Sequence, residues 1–185
     1  AVSLTDAFAA LLAGYPDLHE IARRFASPPI CNSGTLCGNV ANGSPIGDTM
    51  PALIALGSTL TIEGPAGRRE QPLEDFYLDY MKKDLRPGEF LRSVRVPTAA
   101  PGLQVRSYKI AKRYDQDISA VCGAFAIRFE RDRVASARIA FGGMAATPKR
   151  ATSVEAFLDG KPFAPGVIEM AVERFGDDFQ PISDM

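Results

Sequence analysis

The residues best suited to chemistry lie in one stretch, from Cys31 to Asp48, dense in Gly, Asn, Ser and Thr. Side chains this small let a backbone approach a ligand closely. Consecutive exposed N–H groups can form an anion-binding concavity, and Asn and Asp side chains suit ribityl or ribose hydroxyls. The same composition also describes a surface loop with helix caps, and Asp48 stands where it caps a helix that follows. The stretch is not a Walker loop, because it has no Gly-Lys-Ser/Thr step. Nor is it a Rossmann fingerprint, which needs Gly-x-Gly-x-x-Gly after a strand.

Other reactive groups are few. The three cysteines, Cys31, Cys37 and Cys122, make no disulfide framework, and His19 is the single histidine. One histidine excludes a multi-histidine metal site and weakens any Ser or Cys triad. Cys31 and Cys37 have no third cysteine or histidine near them in the sequence, which argues against a metal there. A net charge of −1 over 185 residues attracts neither nucleic acid nor an anionic membrane. No apolar run approaches the ~20 residues of a membrane span, and the start reads as amphipathic rather than as a signal peptide. The expectation is a cytoplasmic protein with no nucleic-acid or membrane partner.

The elements that must position the stretch follow from hydrophobic spacing. Leu4, Phe8, Leu11 and Leu12 recur at helical spacing up to Gly14. Leu18, Ile21 and Phe25 form a second stripe, with Arg23 and Arg24 outside it, ended by Ser27-Pro28-Pro29. On spacing alone Phe25 is core. After Asp48 a helix buries Met50, Leu53 and Ile54 and stops at Gly57. Residues 59–62 alternate as a strand, 73–83 read as a short helix, and 90–96 read as a strand. Residues 97–102 are a linker. Beyond it come strands at 105–110, 121–130 and 134–141, with a hairpin turn at Arg131-Asp132-Arg133. One helix opens at Thr147-Pro148 and another runs from Pro165 to Phe175. Cys122, in an apolar strand, is core, and His19 is a surface residue. The fold class is α+β: a helix-and-strand piece, then a three-stranded antiparallel sheet with helices on one side. Both ends read as cut from something longer.

The segment Asn32-Ser33-Gly34-Thr35-Leu36-Cys37-Gly38-Asn39-Val40-Ala41-Asn42-Gly43-Ser44-Pro45-Ile46-Gly47-Asp48 resembles the FAD-contacting loop of the xanthine dehydrogenase family. These are the flavoprotein modules of molybdenum hydroxylases, and the resemblance is strongest to the bacterial small subunit. Three further blocks agree in order. They are Asp75-Phe76-Tyr77-Leu78-Asp79-Tyr80, then Tyr108-Lys109-Ile110-Ala111-Lys112-Arg113-Tyr114-Asp115-Gln116-Asp117-Ile118-Ser119, then Ala140-Phe141-Gly142-Gly143-Met144-Ala145-Ala146-Thr147-Pro148-Lys149-Arg150. The resemblance implies the second half of a PCMH-type FAD-binding domain over 1–98. A small CO-dehydrogenase-flavoprotein-like C-terminal domain follows over 103–185, with FAD in the crevice.

The resemblance also implies roles. Thr35, Leu36, Cys37, Gly38 and Asn39 contact FAD, Asp48 bonds it, and Phe25 packs on its rings. Leu91 and Lys109 line the isoalloxazine. Loop 110–118 lies beside the flavin, where its charges tune potential and access to NAD. A cation such as Lys109 or Arg113 near the pyrimidine end favours the anionic reduced flavin. As residues alone, Lys109 and Arg113 read equally as solvated charges at a strand end. No catalytic acid or base is assigned, because hydride transfer to NAD needs none.

The implied reaction is oxidation of hypoxanthine or xanthine to urate at the molybdenum cofactor of a large subunit. Electrons pass through an iron–sulfur domain to FAD and then to NAD. The chain departs from the family pattern at Cys31 and Cys37, where the family usually has arginine and glycine. The first FAD half, with its glycine-rich pyrophosphate loop, and the iron–sulfur ligands are not among these residues. The expectation is that the chain alone binds FAD weakly or not at all. Two alternatives stand beside this reading. One is a silent fragment that only folds or docks; the other is the flavoprotein subunit of a carbon monoxide or aldehyde hydroxylase.

Overall fold

The computed structural model describes residues 1–181. Helix α1 (Leu4–Gly14) begins at Ser3, whose hydroxyl accepts from the Asp6 amide at 3.1 Å. A 3-10 turn, Pro16–Leu18, leads into α2 (His19–Arg24). Two short helices follow, α3 (Pro28–Ser33) and α4 (Leu36–Asn42). Neither has the long apolar stripe that betrays a helix in sequence. Proline in the first turn starts α3, and a Thr35 cap starts α4. Helix α5 (Thr49–Ala55) is buried on all sides, as its unbroken run of apolar residues requires. Gly57, at φ +72°, turns the chain out of it.

The first lobe continues with β1 (Thr59–Gly64) and β2 (Gly67–Pro72). Strand β2 is almost wholly polar and exposed, so alternation could not reveal it. Residues 73–83 are not the expected helix. They form a 3-10 turn (Glu74–Phe76) and a small hairpin of β3 (Tyr77–Asp79) and β4 (Lys82–Lys83). Phe76 and Tyr77 are buried while Leu78, Tyr80 and Met81 are exposed, so these side chains share no helical face. Asp79 Oδ1 accepts from the Tyr80 amide at 2.7 Å, and Met81 takes φ +53° to close the turn. Strand β5 (Phe90–Arg95) completes an antiparallel sheet of order β2-β1-β5.

The second lobe is an antiparallel sheet of β6 (Leu103–Ala111), β7 (Ser119–Glu130), β8 (Arg133–Gly142) and β9 (Lys149–Arg150). It has four strands rather than three, because residues 149–150 pair with β8 before the helix begins. Helices α6 (Thr152–Leu158), α7 (Pro165–Glu173) and α8 (Phe175–Asp178) pack on one face. Helix α6 has no cap of its own. Asp178 supplies it, accepting from the Ser153 and Val154 amides at 3.0 and 3.2 Å.

The two lobes share one core. Leu53, Ile54, Leu60 and Ile62 from the first lobe pack with Val105, Ala124, Ala126 and Ala140 from the second. Burying these side chains stabilises by ~1.5–3 kcal/mol for each large one, so the lobes fold against each other. A polar joint crosses the same seam. Arg138 donates to the Ile54 carbonyl at 2.8 Å and to Glu74 at 2.6 Å, and Arg150 joins Glu74 to Glu155. The connector, residues 97–102, is tied down too: Tyr15 Oη donates to the Pro97 carbonyl at 2.7 Å. No helix among the described residues is long and apolar enough to cross a membrane.

Candidate functional site: a small-residue helix between a groove and a buried ion pair

The stretch from Thr35 to Asp48 is not an open loop. Thr35 bridges Ser3, and its Oγ1 accepts from the Gly38 amide at 3.0 Å, which starts α4. The Leu36 amide donates to the Val2 carbonyl at 3.3 Å and the Asn39 amide to the Thr35 carbonyl at 2.9 Å. The anion cradle of free amides is therefore missing at Leu36, Gly38 and Asn39, where the helix start uses them. Gly38 is small for a local reason: a Cβ there would meet Thr35 Oγ1 at 2.8 Å and push the cap aside. At the other end Tyr77 Oη donates to the Val40 carbonyl at 3.0 Å and Lys83 Nζ to that of Asn42 at 3.1 Å.

What α4 builds is a wall. An apolar groove of about 1170 Å³ runs between α1, α4 and β5, and Thr35, Leu36, Cys37, Gly38 and Leu91 line it. Its volume exceeds the ~300–1,000 Å³ of ordinary small-molecule sites. Ala7, Ala10, Gly14 and Ala41 also line it, and their small side chains keep it open. Cys37 adds a side chain to this wall, and burial pushes its thiol pKa up, so it stands there as a neutral, weakly polar group.

The remaining residues implied by the resemblance gather elsewhere. Helix α1 separates the two places. Its Ala7, Ala10 and Leu11 line the groove, whereas Leu4 and Phe8 pack with Ile21, Phe25 and Cys122. The Phe25 ring lies 5.2 Å from that of Phe8, and Ala26 beside it holds φ +44°, strained for a non-glycine residue. Asn39 turns inward and accepts from Thr49 Oγ1 at 2.5 Å.

Asp48 makes no cap to α5, contrary to expectation. Its Oδ2 accepts from Lys109 Nζ at 2.7 Å and its Oδ1 from Ser119 Oγ at 2.5 Å. The Asp48 and Lys109 side chains are 8% and 3% exposed, so Lys109 is a buried partner and not a solvated charge. Cys122 packs beside them, its thiol 3.8 Å from the Asp48 carbonyl. Burial, then the Asp48 charge, pushes that thiol pKa far up. Arg113 does behave as a strand-end charge: its guanidinium pairs with Asp117 at the surface. Among the described residues no group of three or more His, Cys, Asp or Glu side chains is arranged to hold a metal.

Arg24, placed outside the apolar stripe by its spacing, is buried. It donates to the carbonyls of Lys109 at 2.7 Å and Tyr114 at 3.0 Å, and its guanidinium lies 4.7 Å over the Tyr114 ring. Neither Arg24 nor Ser119 stood out as a site residue. The one local signal was Glu20, a helical turn before Arg24 and paired with it at 3.0 Å.

Fold and site together define a flavoprotein module. Residues 1–99 match the FAD binding domain in molybdopterin dehydrogenase, and residues 106–185 match the CO dehydrogenase flavoprotein C-terminal domain. The chain belongs to this family, the FAD-binding part of the molybdenum hydroxylases. It is 36% identical over 160 residues to the xanthine dehydrogenase of Emericella nidulans, covering 85% of this chain and 12% of that protein. It is 32% identical over 171 residues to the carbon monoxide dehydrogenase medium chain of Hydrogenophaga pseudoflava, covering 92% of this chain and 59% of that one.

Among solved structures, a Hydrogenophaga pseudoflava carbon monoxide dehydrogenase lacking the Mo-pyranopterin moiety superposes with a TM-score of 0.92 at 30% identity. The match covers 99% of this chain and 64% of that chain. Quinoline 2-oxidoreductase from Pseudomonas putida gives 0.82 at 27% identity, over 95% of this chain and 61% of that one.

Proposed function

We propose that this chain is the FAD-carrying, electron-transfer part of a xanthine dehydrogenase, with lobes at 1–98 and 103–185. In this reading the electrons come from iron–sulfur clusters and leave to NAD. A molybdenum subunit converts hypoxanthine or xanthine to urate in the same cytoplasmic assembly. One observation carries the reading. Leu36, in the Thr35–Asn39 segment, lines the large apolar groove and also packs on the cluster of Leu4, Phe8, Phe25 and Cys122, whose thiol lies beside Asp48. An extended dinucleotide needs such a pair of environments, an apolar wall for a ring and a polar or aromatic place beyond it.

FAD supplies the redox chemistry when bound. The chain's residues position it. Thr35, Leu36, Cys37, Gly38 and Leu91 give the cofactor a water-poor surface. Phe25 offers an aromatic face. Asn39 holds α4 to α5 through Thr49, which fixes that wall. Asp48 and Lys109 act as one neutralised pair, so Lys109 brings a dipole rather than a free cation toward the flavin.

Titration of FAD into the isotope-labelled chain, read by amide NMR, tests this. Shifts centred on residues 35–39 and on Leu91, saturating only at high FAD, are expected. Shifts scattered over the second lobe, with none at residues 35–39, overturn the reading.

A second reading keeps the flavin and changes the enzyme to a carbon monoxide dehydrogenase. The 0.92 superposition and the 59% coverage of that enzyme's medium chain favour it. Assembled with its molybdenum subunit, the xanthine-type protein forms NADH when xanthine is added. Carbon monoxide oxidation with no response to xanthine selects the second reading.

A further inference from the structure

We infer that Asp48 is a positioning residue whose single carboxylate pins both stems of loop 110–118, with Ser119 as the second anchor. The bonds carry this. Lys109 is near the end of β6 and Ser119 opens β7, so the two residues bracket the loop. Each gives its side chain to a different oxygen of Asp48, at 2.7 and 2.5 Å. They are not cross-strand partners. Lys109 faces Cys122 and Ser119 faces Ala111, and the ladder shifts register between Ile110 and Ala111. The backbone ladder is thus irregular just where the loop begins, and a side-chain staple from the other lobe reinforces it there.

The staple is dry and the loop is not. Asp48 and Ser119 are buried, whereas Ile110, Tyr114 and Ile118 are 62%, 64% and 70% exposed. Asp48 is also the last residue of the small-residue stretch and stands directly before α5. A displacement of that stretch therefore reaches the loop through one carboxylate. Any consequence for the flavin rests on the function proposed above. The anchoring itself does not, and its test uses no cofactor.

Hydrogen–deuterium exchange of residues 111–118 and trypsin cleavage after Lys112 and Arg113 read the anchoring in the cofactor-free chain. Ser119→Ala removes one hydrogen bond to a charged group, worth roughly a factor of ten in an opening equilibrium. About tenfold faster exchange and cleavage is expected in the loop, with β8 unchanged. Ser119→Thr keeps the hydroxyl and restores protection, which a role in packing alone would not produce. Asp48→Ala frees both stems and exceeds Ser119→Ala, provided its circular dichroism stays native. Should it fail to fold, the two Ser119 variants decide. Loop exchange that is unchanged in Ser119→Ala, or equally fast in Ser119→Thr, overturns the inference. FAD shifts that fall on the second lobe and spare residues 35–39 overturn the flavin reading and leave this result standing.

Discussion

The groove beside α4 and the joint around Asp48 both border α1, yet opposite forces hold them. The groove is lined by carbon and held open by small residues. Its carbon-lined wall carries no buried charge, so changes there cost less than changes at the joint. The joint is closed, and its charges are satisfied only by one another and by the Ser119 hydroxyl. Its geometry can change very little, because a buried charge without its partner costs several kcal/mol. A module that receives a large cofactor needs both kinds of place: one that yields and one that keeps the lobes in register.

That contrast can be broken most sharply at Lys109. Lys109→Met leaves the Asp48 carboxylate buried with Ser119 alone and should cost about 3–5 kcal/mol in urea denaturation. The double variant Asp48→Asn/Lys109→Met should recover most of the loss. A smaller effect is expected at the second polar seam. Arg138→Met abandons the Ile54 carbonyl and leaves Glu74 to Arg150 alone, for about 2–3 kcal/mol by the same measurement.

On the groove side, Thr35→Ala removes the cap of α4 and should cost about 1 kcal/mol. A thermal melt reads it, with no exposure of β6 or β7. The gentlest test varies pH. Arg69 grips Glu89, at the groove's rim, through bonds of 2.8 and 3.1 Å. That grip holds the Glu89 carboxyl at about 2, against ~4.3 when unfolded. A depressed folded value stabilises above the unfolded one, and the benefit fades as pH falls toward 2. Melting temperature should therefore drop from pH 5 to pH 2, and less steeply in Glu89→Gln.

Much of the framework was legible, for physical reasons that can be named. Helix α5 showed itself because every residue from Met50 to Ala55 is apolar, with Gly57 free to turn left-handed. Strands β6 to β8 showed themselves through length and alternation. Helices α3 and α4 did not, since caps and proline make them rather than an apolar stripe. The hairpin at 77–83 was hidden because Phe76, Tyr77, Tyr80 and Met81 fall at helical spacing, although only the first two are buried. The small-residue stretch was found, but its amides were assigned to a ligand when the helix start claims them. The union of Asp48 with Ser119, 71 positions away, depends on how the lobes dock and leaves no trace in local spacing.

The Tyr15 hydroxyl on the Pro97 carbonyl shapes how this chain can move. A connector of Pro-Thr-Ala-Ala-Pro-Gly looks like slack rope, yet here it is moored near its first knot. Rigid swinging about residues 97–102 is opposed both by that bond and by the core the two lobes share. Lengthening the rope by a few glycines would leave the spacing of the two bodies as it is, whereas Tyr15→Phe would free only the connector and leave the shared core to hold them.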